Sequence, residues 1–196
     1  SLTTGSVAAA QSGSWSVASS AFHVSGSAGA VKALRYTARV AHSALVFQAD
    51  VKMNSSGGFG ADNRIGLGFN KPSNLSGGSI VTLRSTGALT PSSTGVIYTE
   101  QPDGTTAGPS SLTKLFNLDQ YYTLKVVAIG NAMDVYVDGV YLYTLLRKMD
   151  PVAGAIEYAY ISLYSYQCDV DFKNIKLYTP SLPNTSAVPL KLDDCA

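Results

Sequence analysis

The chain has 196 residues, a formal net charge of +1 and 14% charged residues. That length is enough for one domain with a full core, and the nearly balanced charge argues against a nucleic-acid partner or an anionic membrane surface. The sequence has no apolar run long enough for membrane insertion, and its Ser, Thr, Gly, Val and Tyr content favours strands and turns. We therefore expect a soluble, all-β domain.

Alternation of apolar and polar residues predicts the first long strands. In LVFQADVKM (45–53) the odd-numbered residues are apolar and should face a core, whereas Asp50 and Lys52 should face outward. After a glycine-rich turn, RIGLGFN (64–70) repeats the alternation, with Arg64 and two glycines on the outward side. The small outward residues leave room above this part of the sheet.

Later segments continue the pattern. IVTL (80–83) and GVIYT (95–99) are short strand candidates. The segment YYTLKVVAIGNAMDVYVDGVYLYTLL (121–146) alternates throughout and contains two turn signals, Gly130-Asn131 and Asp138-Gly139, which predict a hairpin followed by a further strand. A last strand is predicted in DVDFKNIKLY.

The strand candidates, about nine to twelve in number, are spaced as in antiparallel sandwiches. We predict a β-sandwich domain over residues 1–178 and a proline-containing tail over 179–196, which cannot form an interior strand. A disulfide between Cys168 and Cys195 would tie this tail to the domain and stabilise it by about 3 kcal/mol in the chain-entropy model. The alternative is two free thiols in a reducing compartment.

A row of tyrosines in EYAYISLYSYQCDVDF (157–172) is the sharpest functional feature. On a strand, Tyr158, Tyr160, Tyr164 and Tyr166 would share one face, and the aliphatic residues between them would face the core. Such rings stack on the apolar face of a pyranose while their hydroxyls bond to the sugar. The alternatives are cross-strand aromatic pairing that stabilises the sheet, and a self-association surface.

Five segments, in this order, resemble the concanavalin A-like jelly-roll superfamily, in particular laminin G-like domains and the carbohydrate-binding modules of glycoside hydrolases. They are GSWSVASSAFHVSG, LVFQADVKM, IGLGFN, the hairpin YYTLKVVAIGNAMDVYVDG and DVDFKNIKLY. The resemblance covers nearly the whole chain up to about Tyr178. It implies two curved antiparallel sheets, a concave face that often holds sugar and, in many members, a structural calcium.

The resemblance and the tyrosine row lead to the hypothesis of noncatalytic carbohydrate binding. A secreted, lectin-like module would bind a glycan or polysaccharide along the tyrosine-lined sheet face, and polar groups beside the rings would orient the sugar. The residues predicted to contact the ligand are Tyr158, Tyr160, Tyr164, Tyr166, Tyr136, Lys125, Asp138 and Arg64.

A polysaccharide-degrading enzyme of the same fold is the alternative. Asp169 and Asp171 have the spacing of a glycosidase carboxylate pair, but Lys173 stands where jelly-roll laminarinases carry a third acidic residue. Jelly-roll lyases commonly use a tyrosine together with Arg, His or Asn beside the uronate, and Arg64 and Lys125 are available here, but the strand signatures of those lyases are not recognisable in this sequence. The two histidines are interpreted as surface residues. Adhesion or self-assembly is a third reading.

The predictions of metal binding and of secretion each rest on a few residues. Oxygen ligands for the structural calcium that the resemblance implies are available at Asp169 and Asp171, or alternatively at Asp62 and Asn63 in the glycine-rich loop. Sequons at Asn54, Asn74 and Asn184, together with the predicted disulfide, favour a secreted, extracellular protein.

Overall fold

The computed structural model describes residues 8–26, 31–36, 40–41, 44–55, 63–69, 79–85, 94–100, 106–107, 113–115, 117–130, 132–146, 158–159 and 161–178. Within these ranges the secondary structure consists of strands, and no helix capable of spanning a membrane is found. In chain order the strands are β1 (Ala8–Ser12), β2 (Trp15–Ala18), β3 (Ala21–Val24), β4 (Val31–Tyr36), β5 (Val40–Ala41), β6 (Ala44–Met53), β7 (Asn63–Phe69), β8 (Ser79–Ser85), β9 (Thr94–Glu100), β10 (Thr106–Ala107), β11 (Thr113–Leu115), β12 (Tyr122–Ile129), β13 (Ala132–Val137), β14 (Val140–Leu146), β15 (Tyr158–Ala159), β16 (Ser162–Tyr166) and β17 (Val170–Tyr178).

The strands form two large antiparallel sheets and a small one. The seven-stranded sheet has the order β14-β13-β12-β6-β17-β3-β2. The eight-stranded sheet has the order β1-β4-β16-β7-β8-β9-β10, with β11 also paired to β9, and β15 pairs with β5 in the third sheet. Strands of two or three residues, such as β10 and β11, are too short to show an alternating pattern in the sequence. The sequence therefore predicts fewer strands than the described residues contain.

One hydrophobic core lies between the two large sheets. The odd-numbered residues of β6 are buried as predicted, and the apolar residues of β7 face them from the other sheet. The rings of Phe47 and Phe69 meet edge to face across the core, with centroids 5.7 Å apart. Trp15 packs at the margin against Phe172, and its indole Nε1 donates a hydrogen bond to the carbonyl of Ser12. The predicted two-sheet antiparallel sandwich is confirmed.

The predicted turns of the hairpin region are also present. Gly130 and Gly139 have φ values of +56° and +78°, which side-chain-bearing residues rarely adopt. Asp138 shares the left-handed conformation, with φ 51°. It exchanges two hydrogen bonds with the backbone of Thr123: its own amide donates to the Thr123 carbonyl, and its carboxylate accepts from the Thr123 amide at 2.8 Å. Asp138 therefore has a structural function in the turn.

The tyrosine segment does not form one strand, contrary to the prediction of a single row. Tyr158 lies in β15, whereas Tyr164 and Tyr166 lie in β16, in the middle of the eight-stranded sheet. After β16 the chain turns through Gln167, whose φ is 61°, and enters β17 in the other sheet. Tyr160 lies outside the described residues. The tyrosines are consequently divided between two sheets.

Cys168 lies at this crossing between the sheets and is a free, fully buried thiol. Burial raises the pKa of the thiol to about 12, although hydrogen bonds with Ser165 and with the backbone of Arg64 act in the opposite direction. The structure therefore does not support the predicted disulfide. Its proposed partner Cys195, and the tail over 179–196, lie outside the described residues.

Candidate ligand-binding site

The residues predicted to contact a ligand lie on opposite sides of the sandwich. In each large sheet the outer face is the one turned away from the core. Tyr166 and Arg64 are cross-strand neighbours on the outer face of the eight-stranded sheet. Lys125 and Tyr136 are cross-strand neighbours on the outer face of the seven-stranded sheet. The structure thus assembles two pairs and not one site.

The outer face of the eight-stranded sheet is closed around Tyr164. The ring is only 4% exposed, and its surroundings on this face, Ser162, Thr82 and Ile80, are each 3% exposed or less. A ring this inaccessible offers no surface on which a sugar can stack. The prediction that Tyr164 contacts a ligand therefore does not fit the structure, because local alternation identifies the outward side of a strand without showing whether that side is open.

Tyr166 is half-buried at one end of the same face. The guanidinium carbon of Arg64 lies 5.2 Å from the centroid of its ring, which is the geometry of a cation–π contact. Two of the predicted residues are thus brought together, with the ring partly covered by the arginine. The side chain of Tyr158 lies outside the described part of the structure.

The second pair forms an aromatic cluster on the seven-stranded sheet. Lys125 Nζ lies 4.8 Å from the ring centroid of Tyr136, and the rings of Tyr136 and Tyr141 meet at 68° with centroids 5.6 Å apart. Tyr141 is 51% exposed. This cluster follows the cross-strand register of β12, β13 and β14.

A pocket that the sequence did not predict opens on the same outer face. Its volume is about 380 Å³. We call it the Tyr121 pocket, and its lining residues are Ala18, Ser19, Ala21, His23, Lys52, Asn54, Tyr121 and Asp171.

Strand register creates the polar wall of the Tyr121 pocket. Asp171 on β17 pairs with His23 on β3 at one side and with Lys52 on β6 at the other. The three side chains come from strands far apart in sequence, and all point outward because their neighbours along each strand belong to the core. Periodicity predicts the outward direction of each residue, but only the pairing of the strands brings them together.

The carboxylate of Asp171 is held on both sides. His23 Nδ1 and Asp171 Oδ1 are 2.7 Å apart, Lys52 Nζ donates to Oδ2 at 2.8 Å, and the side chain of Asn54 also hydrogen-bonds the carboxylate. Burial acts to raise the pKa of Asp171, but the hydrogen bonds from Lys52 and His23 outweigh it, so the pKa lies below its usual value. The pKa of Lys52 is raised: burial lowers it, and the contact with Asp171 more than compensates.

The turn before β12 fixes the position of Tyr121. The amide of Asp119 donates to the carbonyl of Met53 at 2.8 Å, and the carboxylate of Asp119 accepts from the amide of Ser55 at 3.0 Å. The amide of Asn117 donates to the hydroxyl of Tyr122 at 2.6 Å. The two bonds of Asp119 attach the turn to the end of β6, beside Lys52, and the bond of Asn117 joins it to the start of β12.

Two ammonium groups approach the ring of Tyr121. Lys173 Nζ lies 3.6 Å from the ring centroid, and Lys52 Nζ lies 5.2 Å from it. The pKa of the phenol is raised, chiefly by burial and then by Asp171, while Lys52 acts in the opposite direction. Tyr121 is therefore a neutral phenol that carries a hydrogen-bond donor next to two cations.

The metal ligands predicted at Asp169 and Asp171 do not fit a calcium site, and Asp62 of the alternative pair lies outside the described residues. Both oxygens of Asp171 already bind cationic or ring nitrogen groups, and Oδ1 of Asp169 accepts a hydrogen bond from the amide of Gly26 at 2.6 Å. A cation bound by Asp171 would have to displace either the ammonium of Lys52 or the imidazole of His23. Among the residues that the structure describes, no cluster of three His, Cys, Asp or Glu side chains could hold a metal.

No protein-family model and no curated protein matches the chain. Among solved structures, the carbohydrate binding module CBM66 from Bacillus subtilis is similar with a TM-score of 0.64 at 11% identity, over 88% of this chain and 95% of that chain. The carbohydrate recognition domain of Emp47p gives 0.60 at 11% identity over 88% of each chain. A polysaccharide lyase of family 18 gives 0.57 at 13% identity, over 83% of this chain and 88% of that chain. The chain therefore has the concanavalin A-like jelly-roll fold.

Proposed function

We propose that the protein binds a glycan noncatalytically in the Tyr121 pocket. The observation that carries the proposal is that one open cavity contains an aromatic ring together with His23, Lys52, Asn54 and Asp171. Small-molecule sites combine apolar or aromatic surface with a few placed polar groups in this way. Proteins of the same fold that are named as a carbohydrate binding module and a carbohydrate recognition domain support this function.

The polar groups of the pocket are ordered before a ligand arrives. Asp171 is fixed by His23 and Lys52, and the turn that carries Tyr121 is fixed to the end of β6. Binding therefore loses little side-chain entropy at these groups. A volume of about 380 Å³ also lies within the usual range of ligand pockets, roughly 300 to 1,000 Å³. The proposal keeps the function predicted from the sequence and moves its site away from Tyr164.

Substitution of Tyr121 tests this proposal. Tyr121→Ala should weaken binding of the glycan that the wild type prefers by about tenfold, because a ring that closes a pocket typically contributes more than about 1 kcal/mol. The ligand is identified on an array of neutral and acidic glycans, with and without calcium, and affinities are then measured by titration calorimetry.

Tyr178→Ala is the matched control, since Tyr178 is a 45% exposed tyrosine on the same sheet that does not line the pocket. Circular dichroism confirms that both variants are folded. Equal losses in the two variants, or full affinity in Tyr121→Ala, would contradict the proposed site, and silence of the whole array would contradict glycan binding.

A polysaccharide lyase is the second candidate, because His23, Lys52 and Asn54 line the same pocket as Tyr121. These are residue types that can hold a uronate and transfer a proton. The raised pKa of Tyr121 argues against its action as a base, which is why binding without cleavage is the leading proposal. Incubation with uronate polymers decides between them: formation of unsaturated sugar ends that Tyr121→Phe abolishes would establish the lyase.

We also propose secretion, on the basis of the three sequons and the sequence alone. The structure does not favour glycosylation of the first sequon, because Asn54 is only 9% exposed and its side chain bonds to Asp171. Attachment of a glycan at Asn54 would disrupt the Tyr121 pocket. Expression in a secreting eukaryotic cell followed by mass spectrometry of the sequon peptides tests both points.

A further inference from the structure

We infer that the ligand of the Tyr121 pocket is an extended oligosaccharide chain, which continues from the pocket onto a second aromatic surface of the same sheet. The inference rests on the proposed function and names the class of ligand. The second surface consists of Tyr136 and Asp134 on β13 and of Tyr141 and Thr144 on β14, and we call it the Tyr141 platform. Both sites lie on the outer face of the seven-stranded sheet.

The Tyr141 platform combines an accessible ring with ordered polar groups. Tyr141 is 51% exposed, and its ring packs edge to face with that of Tyr136. The hydroxyl of Thr144 donates to Asp134 Oδ1, so the hydroxyl of Tyr141, 2.9 Å from Thr144 Oγ1, must donate to that oxygen. The Tyr141 hydroxyl oxygen and the Asp134 carboxylate therefore keep acceptor capacity for the hydroxyl groups of a sugar that stacks on the ring.

The strand register gives the distance between the two sites. Tyr121 immediately precedes β12, in which Lys125 pairs with Tyr136, and Tyr136 pairs in turn with Tyr141 on β14. Tyr141 is therefore displaced from Tyr121 by four residues along the strands and by two strand spacings across them. At about 3.3 Å per residue and about 4.8 Å per strand, the separation is about 16 Å. One sugar ring is too small to reach both sites, whereas a chain of several sugars can.

The surface between the two sites is polar and partly exposed. On β12 it carries Thr123 and Lys125, and on the neighbouring β6 it carries Asp50 and Gln48, none of which is buried. The hydroxyl of Thr123 donates to Asp50 Oδ1 at 2.7 Å, so these two side chains are ordered before a ligand arrives. This row offers hydrogen-bonding groups to the sugars that would lie between the two aromatic contacts.

Cross-strand packing of Tyr136 and Tyr141 also stabilises the hairpin, with or without a ligand. The two roles differ in one measurable respect. Only contact with a ligand makes the effect of Tyr141 on affinity depend on the length of the oligosaccharide.

The experiment titrates the disaccharide and the hexasaccharide of a β-glucan, a xylan, a mannan and a polyuronate into the wild type, Tyr121→Ala, Tyr141→Ala and Tyr178→Ala. In a series that binds, the wild type should bind the hexasaccharide at least about tenfold more tightly than the disaccharide, because the second contact forms within one complex. Tyr141→Ala should lose that gain and keep the disaccharide affinity, whereas Tyr121→Ala should weaken binding of both lengths. Tyr178→Ala is the matched control and should behave as the wild type, since Tyr178 is similarly exposed but lies across β6 from the platform.

Disaccharide binding that is kept in Tyr141→Ala also shows that this variant is folded. Equal wild-type affinities for the two lengths, or a hexasaccharide affinity that Tyr141→Ala leaves unchanged, would overturn the inference, while the proposed function stands on the effect of Tyr121→Ala. Two disaccharides bound per chain without a gain for the hexasaccharide would overturn it too, because they would indicate two separate sites. If the glycan array shows binding of short glycans only, the extended ligand is wrong; if no glycan binds, the proposed function is wrong as well.

Discussion

Asp171 is the residue on which the polar wall of the pocket depends. Its carboxylate joins β3, β17 and β6 through His23 and Lys52 and also bonds to Asn54. The side chain is 16% exposed, so the ion pair lies between the exposed pairs, which contribute little, and the buried pairs, whose disruption is costly. The residue should therefore affect stability as well as binding.

We expect Asp171→Asn to lower the free energy of unfolding by about 1–2 kcal/mol at neutral pH. Because the pKa of Asp171 is lowered in the folded state, its contribution is present above the unfolded pKa of about 3.9 and is lost as the pH falls through the folded pKa. Urea denaturation at neutral and at acidic pH should show the difference between wild type and variant shrinking on acidification. A difference that is the same at both pH values would show that the charge of Asp171 is not responsible.

At the scale of the element, the bulge in β17 determines which side chains point outward. The register with β6 shifts between Lys173 and Lys176, where Asn174 adopts a φ of 49°. Before the bulge Asp171 and Lys173 face outward, and after it Lys176 does, so the parity of the strand changes. Alternation in DVDFKNIKLY predicts a strand but not this bulge, because Asn tolerates the left-handed conformation without requiring it.

Two substitutions at Asn174 separate the conformation from the hydrogen bond to Asp50. Asn174→Gly should destabilise by about 1 kcal/mol, because it keeps the left-handed backbone and loses only the bond. Asn174→Val should cost about 1–2 kcal/mol more, since a β-branched residue is strained at this φ. Chemical denaturation measures both values. If valine and glycine gave the same stability, the backbone conformation at this position would not be the source of the effect.

At the scale of the whole molecule, the features that can be predicted from the sequence are those that local periodicity determines. The core positions of β6 and β7, the hairpin turns and the two-sheet architecture follow from alternation and turn residues. The Tyr121 pocket does not, because it needs β3, β6 and β17 in one register, and strand pairing over such sequence distances is not contained in any single segment. The division of the tyrosines between β15 and β16 is not predicted for a related reason: alternation continues from Tyr158 to Tyr166, and no glycine or proline marks a break between them.

The reactivity of the buried thiol of Cys168, at the crossing between the sheets, can be used to measure how often the two sheets separate there. Cys168 has no exposed surface, and it contacts Ser165 of β16 and the backbone of Arg64 in β7, so a reagent reaches it only when these strands separate from it. In a Cys195→Ser variant, which leaves one thiol, labelling by a maleimide should be slow in the native state and should accelerate with urea in parallel with unfolding. Fast labelling without denaturant would show that the strand crossing opens locally, without unfolding of the rest of the sandwich. Glycan added to the same assay would then report whether a ligand on one outer face holds the two sheets together.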